Sequence, residues 1–172
     1  MGRKVQCIPY QLKGGVVMAY KKIKSYQLAE AEMRAIWDKE YCDKSNPIFT
    51  FDNIEVKFYS EMFDHCFYES AHRKAKDKSL ISLNRLEKIL WIKDTLQDPT
   101  AMLKQGWDRD KKKYVNDRRV AFVKNNYIVI IRFTGIKKAS FVTAYELQED
   151  ENIKKIKNSP QWVNILGMDE SK

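Results

Sequence analysis

Hydrophobic and polar positions form their clearest pattern towards the C-terminal third of the chain, where they predict consecutive strands. Residues 127–133 (YIVIIRF) are an almost unbroken apolar, β-branched run, which is typical of a strand buried on both faces. Asn125, Asn126 and Gly135 supply turn residues at its two ends. The pattern therefore predicts a four-stranded antiparallel meander, with strands at residues 101–107, 118–123, 127–133 and 139–147.

The last of these predicted strands has two different faces if its side chains alternate strictly. Phe141, Thr143 and Tyr145 then share one face, and the smaller residues between them share the other. A face of small residues lets a helix pack closely. The opposite face presents a hydroxyl, a phenol and an aromatic ring beside a basic segment, which indicates a surface that handles an anion.

Helical spacing of apolar residues predicts three helices. The first runs from about residue 25 to 43, with Ser25 as its expected N-cap. The second covers residues 82–97 and is capped by Ser79 or Ser82, and Asp98-Pro99 ends it. The third is short and basic, over residues 150–157.

Residues 48–69 are expected to form a hairpin or two short strands around Asp52-Asn53. If the later part is a strand, Phe63, His65 and Phe67 share one face. The order of elements predicts an α+β fold, with a helix packed on a twisted antiparallel β-meander and an N-terminal helical extension. The expected organisation is an N-terminal strand and helix extension (1–47, with an edge strand over 5–12), a main domain (48–158) and a C-terminal tail (159–172).

Composition and charge narrow the function classes. The 172 residues carry a net charge of +9 with a pI near 9.3, and a basic domain of this kind most often binds nucleic acid. An anionic membrane, an acidic partner protein and a merely solubilising charge excess are the alternatives. Three cysteines without metal or redox spacing, together with the lack of an apolar span or signal core, favour a cytoplasmic protein.

The positive charge is concentrated in two stretches. Residues 104–124 hold eight Lys or Arg against three acids, so this stretch alone carries +5. Localised charge suits phosphate binding better than scattered charge does. The residues expected to contact nucleic acid are Lys111, Lys112, Lys113, Arg118, Arg119 and Arg132, with Arg73 and Lys74 in a second basic loop.

Several short motifs resemble one family. They are the run 64–68 (DHCFY), the run 82–89 (SLNRLEKI) entering a helix, and residues 141–145 (FVTAY). Together they are similar to the barnase–EndoU–colicin–RelE superfamily of metal-independent ribonucleases, in its phage-borne branch, over about residues 54–148. That branch is marked by a histidine on an early strand, so the resemblance implies His65 as acid or base and Arg85 as a phosphate or orienting group. It further implies Thr143 as a hydrogen-bond donor to the scissile phosphate and Tyr145 as a residue that lines the cleft or stacks on a base.

The resemblance implies an endoribonuclease, a toxin or phage effector, that acts on tRNA or mRNA and has a protein inhibitor as a further partner. Attack by the 2′-hydroxyl would leave a 2′,3′-cyclic phosphate, and this chemistry needs proton transfer and charge stabilisation but no metal or other cofactor. His65 can also be an ordinary core histidine, Arg85 a helix-surface residue and Tyr145 a packing residue. The alternative function is a non-catalytic RNA- or DNA-binding protein on the same scaffold. A weaker one is an adaptor that binds a protein partner through residues 25–43.

Overall fold

The computed structural model describes residues 19–70 and 79–164, and for Asp117 and Arg118 it describes the backbone alone. The strand expected over residues 5–12 lies outside these ranges. The described helices are α1 (Glu30–Tyr41), α2 (Met62–Phe67), α3 (Leu83–Leu86), α4 (Trp91–Gln97) and α5 (Asp150–Asn158). The described strands are β1 (Ile48–Phe49), β2 (Glu55–Lys57), β3 (Tyr68–Glu69), β4 (Leu80–Ile81), β5 (Met102–Asp108), β6 (Lys113–Lys124), β7 (Tyr127–Gly135) and β8 (Lys138–Glu146). None of these helices is long and apolar enough to cross a membrane.

Six strands form one open sheet in the order β1-β2-β8-β7-β6-β5, and β3 pairs with β4 separately. Strands β5 to β8 follow one another as an antiparallel meander. The one parallel pair in the described sheet joins β2 to the first residues of β8. The predicted α+β class and the four-stranded meander are therefore confirmed.

The main core lies between one face of this sheet and helices α1 to α4. We call this the core face of the sheet. Trp37 of α1 is fully buried at its centre, and its ring contacts those of Phe58, Phe67 and Phe141 at centroid distances of 5.6 to 5.8 Å. Helix α1 therefore contributes to the same core as the sheet that follows it.

Strand β7 is buried on both faces, as its apolar run predicts. Val129 and Ile131 belong to the main core, whereas Ile128 packs on the opposite face with Ala121 and Val123. Ile156 of α5 packs against this second, smaller cluster. We call this opposite side the cleft face of the sheet.

A β-bulge in β8 changes which of its side chains share a face. Thr143 lies opposite Ile130, but Phe141 lies opposite Ile131, so Val142 is the extra residue. Because directly opposed residues share a face, Thr143 and Tyr145 lie on the cleft face and Phe141 lies in the main core. The shared face of Thr143 and Tyr145 is confirmed, and the placement of Phe141 with them is wrong.

The segment around His65 is helical, so the prediction of a strand there is wrong. Phe63 and Phe67 are four residues apart on α2, and their buried rings meet at a centroid distance of 5.1 Å. This spacing places both rings on the buried side of a helix. His65 between them is exposed.

The predicted helix over residues 82–97 is divided into α3 and α4. Ser82 caps α3, because its hydroxyl oxygen accepts a hydrogen bond from the Arg85 backbone amide at 3.4 Å. Ser25 does not cap α1; it begins a turn of 3-10 helix, Ser25–Gln27, and the capping position of α1 is Ala29. The short basic helix predicted near residue 150 is confirmed as α5.

The segment after α5 packs along the sheet. The Trp162 ring is buried and stacks on Phe133 at a centroid distance of 5.3 Å. Its indole nitrogen donates a hydrogen bond to the Asn116 carbonyl oxygen at 3.1 Å. Trp162 therefore attaches the end of the described chain to the meander.

Candidate nucleic-acid interface

A basic cleft of about 580 Å³ opens where the β5–β6 hairpin meets the cleft face of the sheet. Four cationic and two acidic side chains line this basic cleft, so the net charge of its lining is positive. The residues that line it are Asp108, Arg109, Asp110, Lys111, Val115, Arg119 and Arg132. Of the residues expected to contact nucleic acid, this basic cleft brings Lys111, Arg119 and Arg132 together.

Arg119 and Arg132 lie directly opposite each other on β6 and β7. Their neighbours along the strands, Val120, Ile131 and Phe133, belong to the main core. Because successive side chains of a strand point to opposite faces, both arginine side chains lie on the cleft face. Neither guanidinium forms a salt bridge with a described side chain. Like charges directly opposite each other destabilise a sheet. The pair therefore places two guanidinium groups side by side, without a salt bridge to a described side chain, at some expense to stability.

Gly106 makes room for Arg119. The β5–β6 register shifts between Gln105 and Gly106, and a Cβ atom at Gly106 would lie 2.3 Å from the Arg119 Cβ. This distance is far inside van der Waals contact, so no other residue fits without movement of the strand. A glycine at this irregularity permits the close approach of the two backbones.

The tip of the β5–β6 hairpin is held by Asp108. Its Oδ1 accepts hydrogen bonds from the backbone amides of Asp110 and Lys111, each at 3.0 Å. The Lys111 amide and then the Asp110 amide, together with the nearby charges of Lys111 and Arg119, lower the pKa of the Asp108 carboxyl. The carboxylate is therefore charged at neutral pH and fixes the turn. Lys112 takes a left-handed backbone conformation here, with φ of 49°, and Lys111, Lys112 and Lys113 are all exposed.

Three other residues expected to contact nucleic acid are not described by the structure in full. Arg73 and Lys74 lie outside the described residues. The backbone of Arg118 is part of β6, but its side chain is not described.

A second cleft, of about 390 Å³, lies beside the C-terminal half of β8, between that strand and α2–α3. We call it the edge cleft. The residues that line it are Phe67, Glu69, Asn84, Arg85, Lys88, Tyr127, Ala144, Tyr145, Glu146 and Gln148. Of the residues that the resemblance implies for catalysis, the edge cleft brings Arg85 and Tyr145 together.

The cations of the edge cleft are already paired. The Arg85 Nε lies 2.9 Å from Glu69 Oε1, and the same guanidinium donates a hydrogen bond to the Cys66 carbonyl oxygen at 3.1 Å. The buried Lys88 ammonium lies 2.8 Å from Glu146 Oε2. The edge cleft is therefore close to electrically neutral and suits phosphate less well than the basic cleft does.

Thr143 and His65, the other two residues of the implied catalytic set, lie on β8 and α2. Thr143 is on the cleft face, two steps along the ladder from the pair that Ser140 forms with Arg132. His65 is on α2, whose buried residues belong to the main core, and it lines neither cleft. Neither described cleft is lined by both His65 and Thr143.

Tyr145 lies between the edge cleft and the cleft face of the sheet. It lines the edge cleft, and its ring also packs against the apolar cluster on the cleft face. Burial raises the pKa of the Tyr145 phenol, while the nearby Arg109 acts in the opposite direction. The phenol is therefore neutral at physiological pH, so it can donate a hydrogen bond or stack, but it supplies no charge.

No group of three or more His, Cys, Asp or Glu side chains is arranged to hold a metal ion within residues 19–70 and 79–164. Of the two cysteines in these residues, Cys66 is buried and Cys42 is partly exposed. The Cys66 Sγ lies 3.9 Å from the Ala144 carbonyl oxygen, so it joins α2 to β8. In this part of the chain Cys66 has a packing role.

No family model, curated protein or solved structure matches this chain. Function is therefore inferred from the residues themselves and from their geometry. The resemblance to metal-independent ribonucleases stays an expectation from short sequence motifs.

The set of residues expected from sequence to contact nucleic acid does not include Arg109 or Gly106. Arg109 lines the cleft, and Gly106 allows Arg119 to occupy it. The run 108–113 (DRDKKK) ends one predicted strand region and precedes another, which is the signal for a hairpin tip. A hairpin at that point would have placed Arg109 near the strands that carry Arg119 and Arg132.

Proposed function

We propose that this protein binds RNA and holds its backbone phosphates in the basic cleft. The observation that carries the proposal is the convergence of Arg109, Lys111, Arg119 and Arg132 around one opening. These residues come from the hairpin tip and from two neighbouring strands, so the fold gathers charges that are separated in sequence. The choice of RNA over DNA follows the resemblance to ribonucleases.

The chemistry of the cleft suits a chain of phosphates. A guanidinium presents a planar fork of donors that matches two phosphate oxygens at once. Arg119 and Arg132 lie side by side across a strand pair and form no salt bridge with a described side chain, although the Asp108 carboxylate is near Arg119. Both guanidinium groups can therefore bind phosphate. Lys111 and Arg109 add charge at the mouth of the same cleft. Together these groups can neutralise consecutive phosphates and release their counterions.

A solvated basic surface without function explains the geometry less well. Such a surface needs no cross-strand pair of arginines, since like charges in that position oppose folding. It also needs no glycine at position 106 to accommodate one of them. Retention of a destabilising arrangement at an open cleft is typical of a binding site.

The proposal can be tested with the double variant Arg119→Gln and Arg132→Gln. A fluorescently labelled single-stranded RNA is titrated with each protein at low salt, and anisotropy gives the affinity. A matched control removes two positive charges elsewhere, with Lys39→Gln and Lys57→Gln, which are exposed on α1 and β2. We expect the cleft variant to bind much more weakly than the control variant. Equal affinities would show that net charge, and not the basic cleft, governs binding.

The charge of the hairpin tip gives a second test. Reversal of Lys111, Lys112 and Lys113 to Glu should weaken binding to RNA of every sequence alike, because phosphate contacts carry no sequence information. Affinities are compared for several unrelated single strands. A loss confined to one sequence would contradict phosphate binding at the tip.

A metal-independent ribonuclease is the second candidate function. The observation that favours it is the position of Thr143 on the same sheet face as Arg119 and Arg132. In the proposed reaction the RNA 2′-oxygen attacks the adjacent phosphorus and the 5′-oxygen leaves, with a 2′,3′-cyclic phosphate and a 5′-hydroxyl as products. The threonine hydroxyl would donate a hydrogen bond to the scissile phosphate, and the guanidinium groups would stabilise the extra negative charge.

Cleavage needs a group that takes the 2′-hydroxyl proton and one that protonates the leaving oxygen. The resemblance assigns one of these roles to His65, which is exposed on α2 and does not line the basic cleft. The test is incubation with RNA in EDTA, followed by analysis of the new ends. If His65 acts in catalysis, His65→Ala should lose about 10²–10⁴-fold in rate. Thr143→Val should lose about 1–3 kcal/mol of transition-state stabilisation. A folded His65→Ala protein that cleaves normally would remove His65 from the mechanism.

A further inference from the structure

Two large aromatic rings are exposed together near the tip of the β5–β6 hairpin. Trp107 is 47% exposed and Tyr114 is 37% exposed, although both types of side chain are commonly buried in part. The two residues lie directly opposite each other on β5 and β6. Their ring centroids are 5.1 Å apart, with the planes at 75°, so they form one edge-to-face pair.

The aromatic pair lies on the side of the hairpin opposite the basic cleft. Tyr114 precedes Val115, which lines the basic cleft, and neighbouring residues in a strand point to opposite faces. The next pair along the ladder is Asp108 with Lys113, and Lys111 and Lys112 complete the turn. The exposed rings are therefore separated from the lysines of the tip by a single ladder step.

We propose that Trp107 and Tyr114 form a stacking platform for the bases of single-stranded RNA. This inference rests on the proposed function and names the form of nucleic acid that the site takes. Phosphates on the lysines of the tip would bring the adjoining bases next to the exposed rings. Unpaired bases stack on aromatic side chains, whereas the bases of a duplex are already stacked on each other and are inaccessible.

The distribution of charge favours a nucleic-acid strand over a membrane surface. Aromatic and lysine side chains at a hairpin tip also suit an anionic bilayer. A flat bilayer, however, would contact the tip and one side of the hairpin. Here the positive charge continues from the tip to Arg119 and Arg132 on the opposite side. A flexible strand can follow a path that passes over the tip from the rings to the basic cleft.

Stabilisation of the hairpin alone would also explain an edge-to-face pair, since cross-strand aromatic pairs stabilise sheets. The two explanations differ in what they predict for variants that keep the hairpin folded. Trp107→Leu retains an apolar side chain but removes the flat ring. Tyr26→Leu is the matched control, because Tyr26 is a highly exposed aromatic residue far from the hairpin in the sequence.

The experiment measures affinity for a single-stranded oligouridine and for a duplex RNA of equal length, at one salt concentration. We expect Trp107→Leu and Tyr114→Leu each to weaken single-strand binding by about 5- to 150-fold, the range for loss of one stacked base. Duplex binding and the far-ultraviolet circular dichroism spectrum should stay unchanged, and Tyr26→Leu should behave as the parent. Folded Trp107→Leu and Tyr114→Leu proteins with parental affinity for the single strand would overturn the inference.

Tryptophan fluorescence keeps the inference testable if the leucine variants fail to fold. The signal of Trp107 is obtained as the difference between the parent and Trp107→Phe. We expect single-stranded RNA to quench this signal and duplex RNA to leave it unchanged. No quenching by bound single-stranded RNA would overturn the inference, as would a response only to phosphatidylserine vesicles. If the parent protein binds neither single-stranded nor duplex RNA, the proposed function itself is wrong. If the parent binds single-stranded RNA and the Trp107 signal does not change, only the stacking platform is wrong.

Discussion

Substitution of Gly106 by alanine tests whether the geometry at the β5–β6 irregularity positions Arg119. The new Cβ would lie 2.3 Å from the Arg119 Cβ. The usual separation of two carbon atoms in contact is about 3.5–4.0 Å, so the two strands must move apart by about 1.2–1.7 Å. Both atoms are fixed to the backbone, so rotation of a flexible side chain cannot relieve the contact. Overpacking of this kind costs about 1–3 kcal/mol.

The loss of stability should appear in thermal unfolding. A change of about 1 kcal/mol shifts the midpoint by about 2–4 °C in a protein of this length, so Gly106→Ala should unfold about 2–12 °C lower. Affinity for single-stranded RNA should also fall, because Arg119 is displaced from the basic cleft. Gly135→Ala is the control, since a Cβ there would lie 3.8 Å from the Lys138 Cβ, which is an ordinary contact. A Gly106→Ala protein with the parental midpoint and RNA affinity would refute the argument.

Three further predictions concern the fold. Trp37→Ala removes the fully buried centre of the main core and should destabilise the protein by about 3–5 kcal/mol, measured by urea unfolding. Lys88→Met leaves the Glu146 carboxylate without its buried partner and should cost about 3–5 kcal/mol, whereas the double change Lys88→Met and Glu146→Leu should restore much of that loss. Burial opposes ionisation of Asp98, but the hydrogen bonds that it accepts, chiefly from Thr100, lower its pKa below the usual value. The stability that this carboxylate contributes is therefore present above about pH 4 and is lost as the pH falls through the folded-state pKa. The destabilisation of Asp98→Asn should be clear at pH 6 and should decrease steadily as the pH falls below about 4.

Much of the sheet could be predicted from the sequence because its strands carry strong local signals. The apolar run of β7 is rich in β-branched residues and bounded by turn residues, which favours a strand covered on both sides with a neighbouring strand at each end. The bulge at Val142 has no such signal. One extra residue in β8 moves Phe141 to the core face while Thr143 stays on the cleft face, and strict alternation cannot show where that residue is inserted.

The segment around His65 was predicted incorrectly for a related reason. Phe63 and Phe67 are compatible with one face of a strand and equally with one buried side of a helix, and a run this short does not distinguish them. Packing of both rings around Trp37 favours the helix. The site was partly predictable: local charge located Lys111, Arg119 and Arg132, whereas their convergence with Arg109 depends on how the hairpin folds back.

The dependence of RNA affinity on salt tests the central claim most directly. If Arg109, Lys111, Lys112, Lys113, Arg119 and Arg132 each neutralise one phosphate of a single strand, the logarithm of the association constant should fall with the logarithm of salt concentration with a slope of about −4. The Arg119→Gln and Arg132→Gln double variant should show a slope of about −3, because two phosphate contacts are lost. The Lys39→Gln and Lys57→Gln control should keep the parental slope. A double variant with the parental slope, or a parent whose affinity does not change with salt, would contradict the binding of phosphates in the basic cleft.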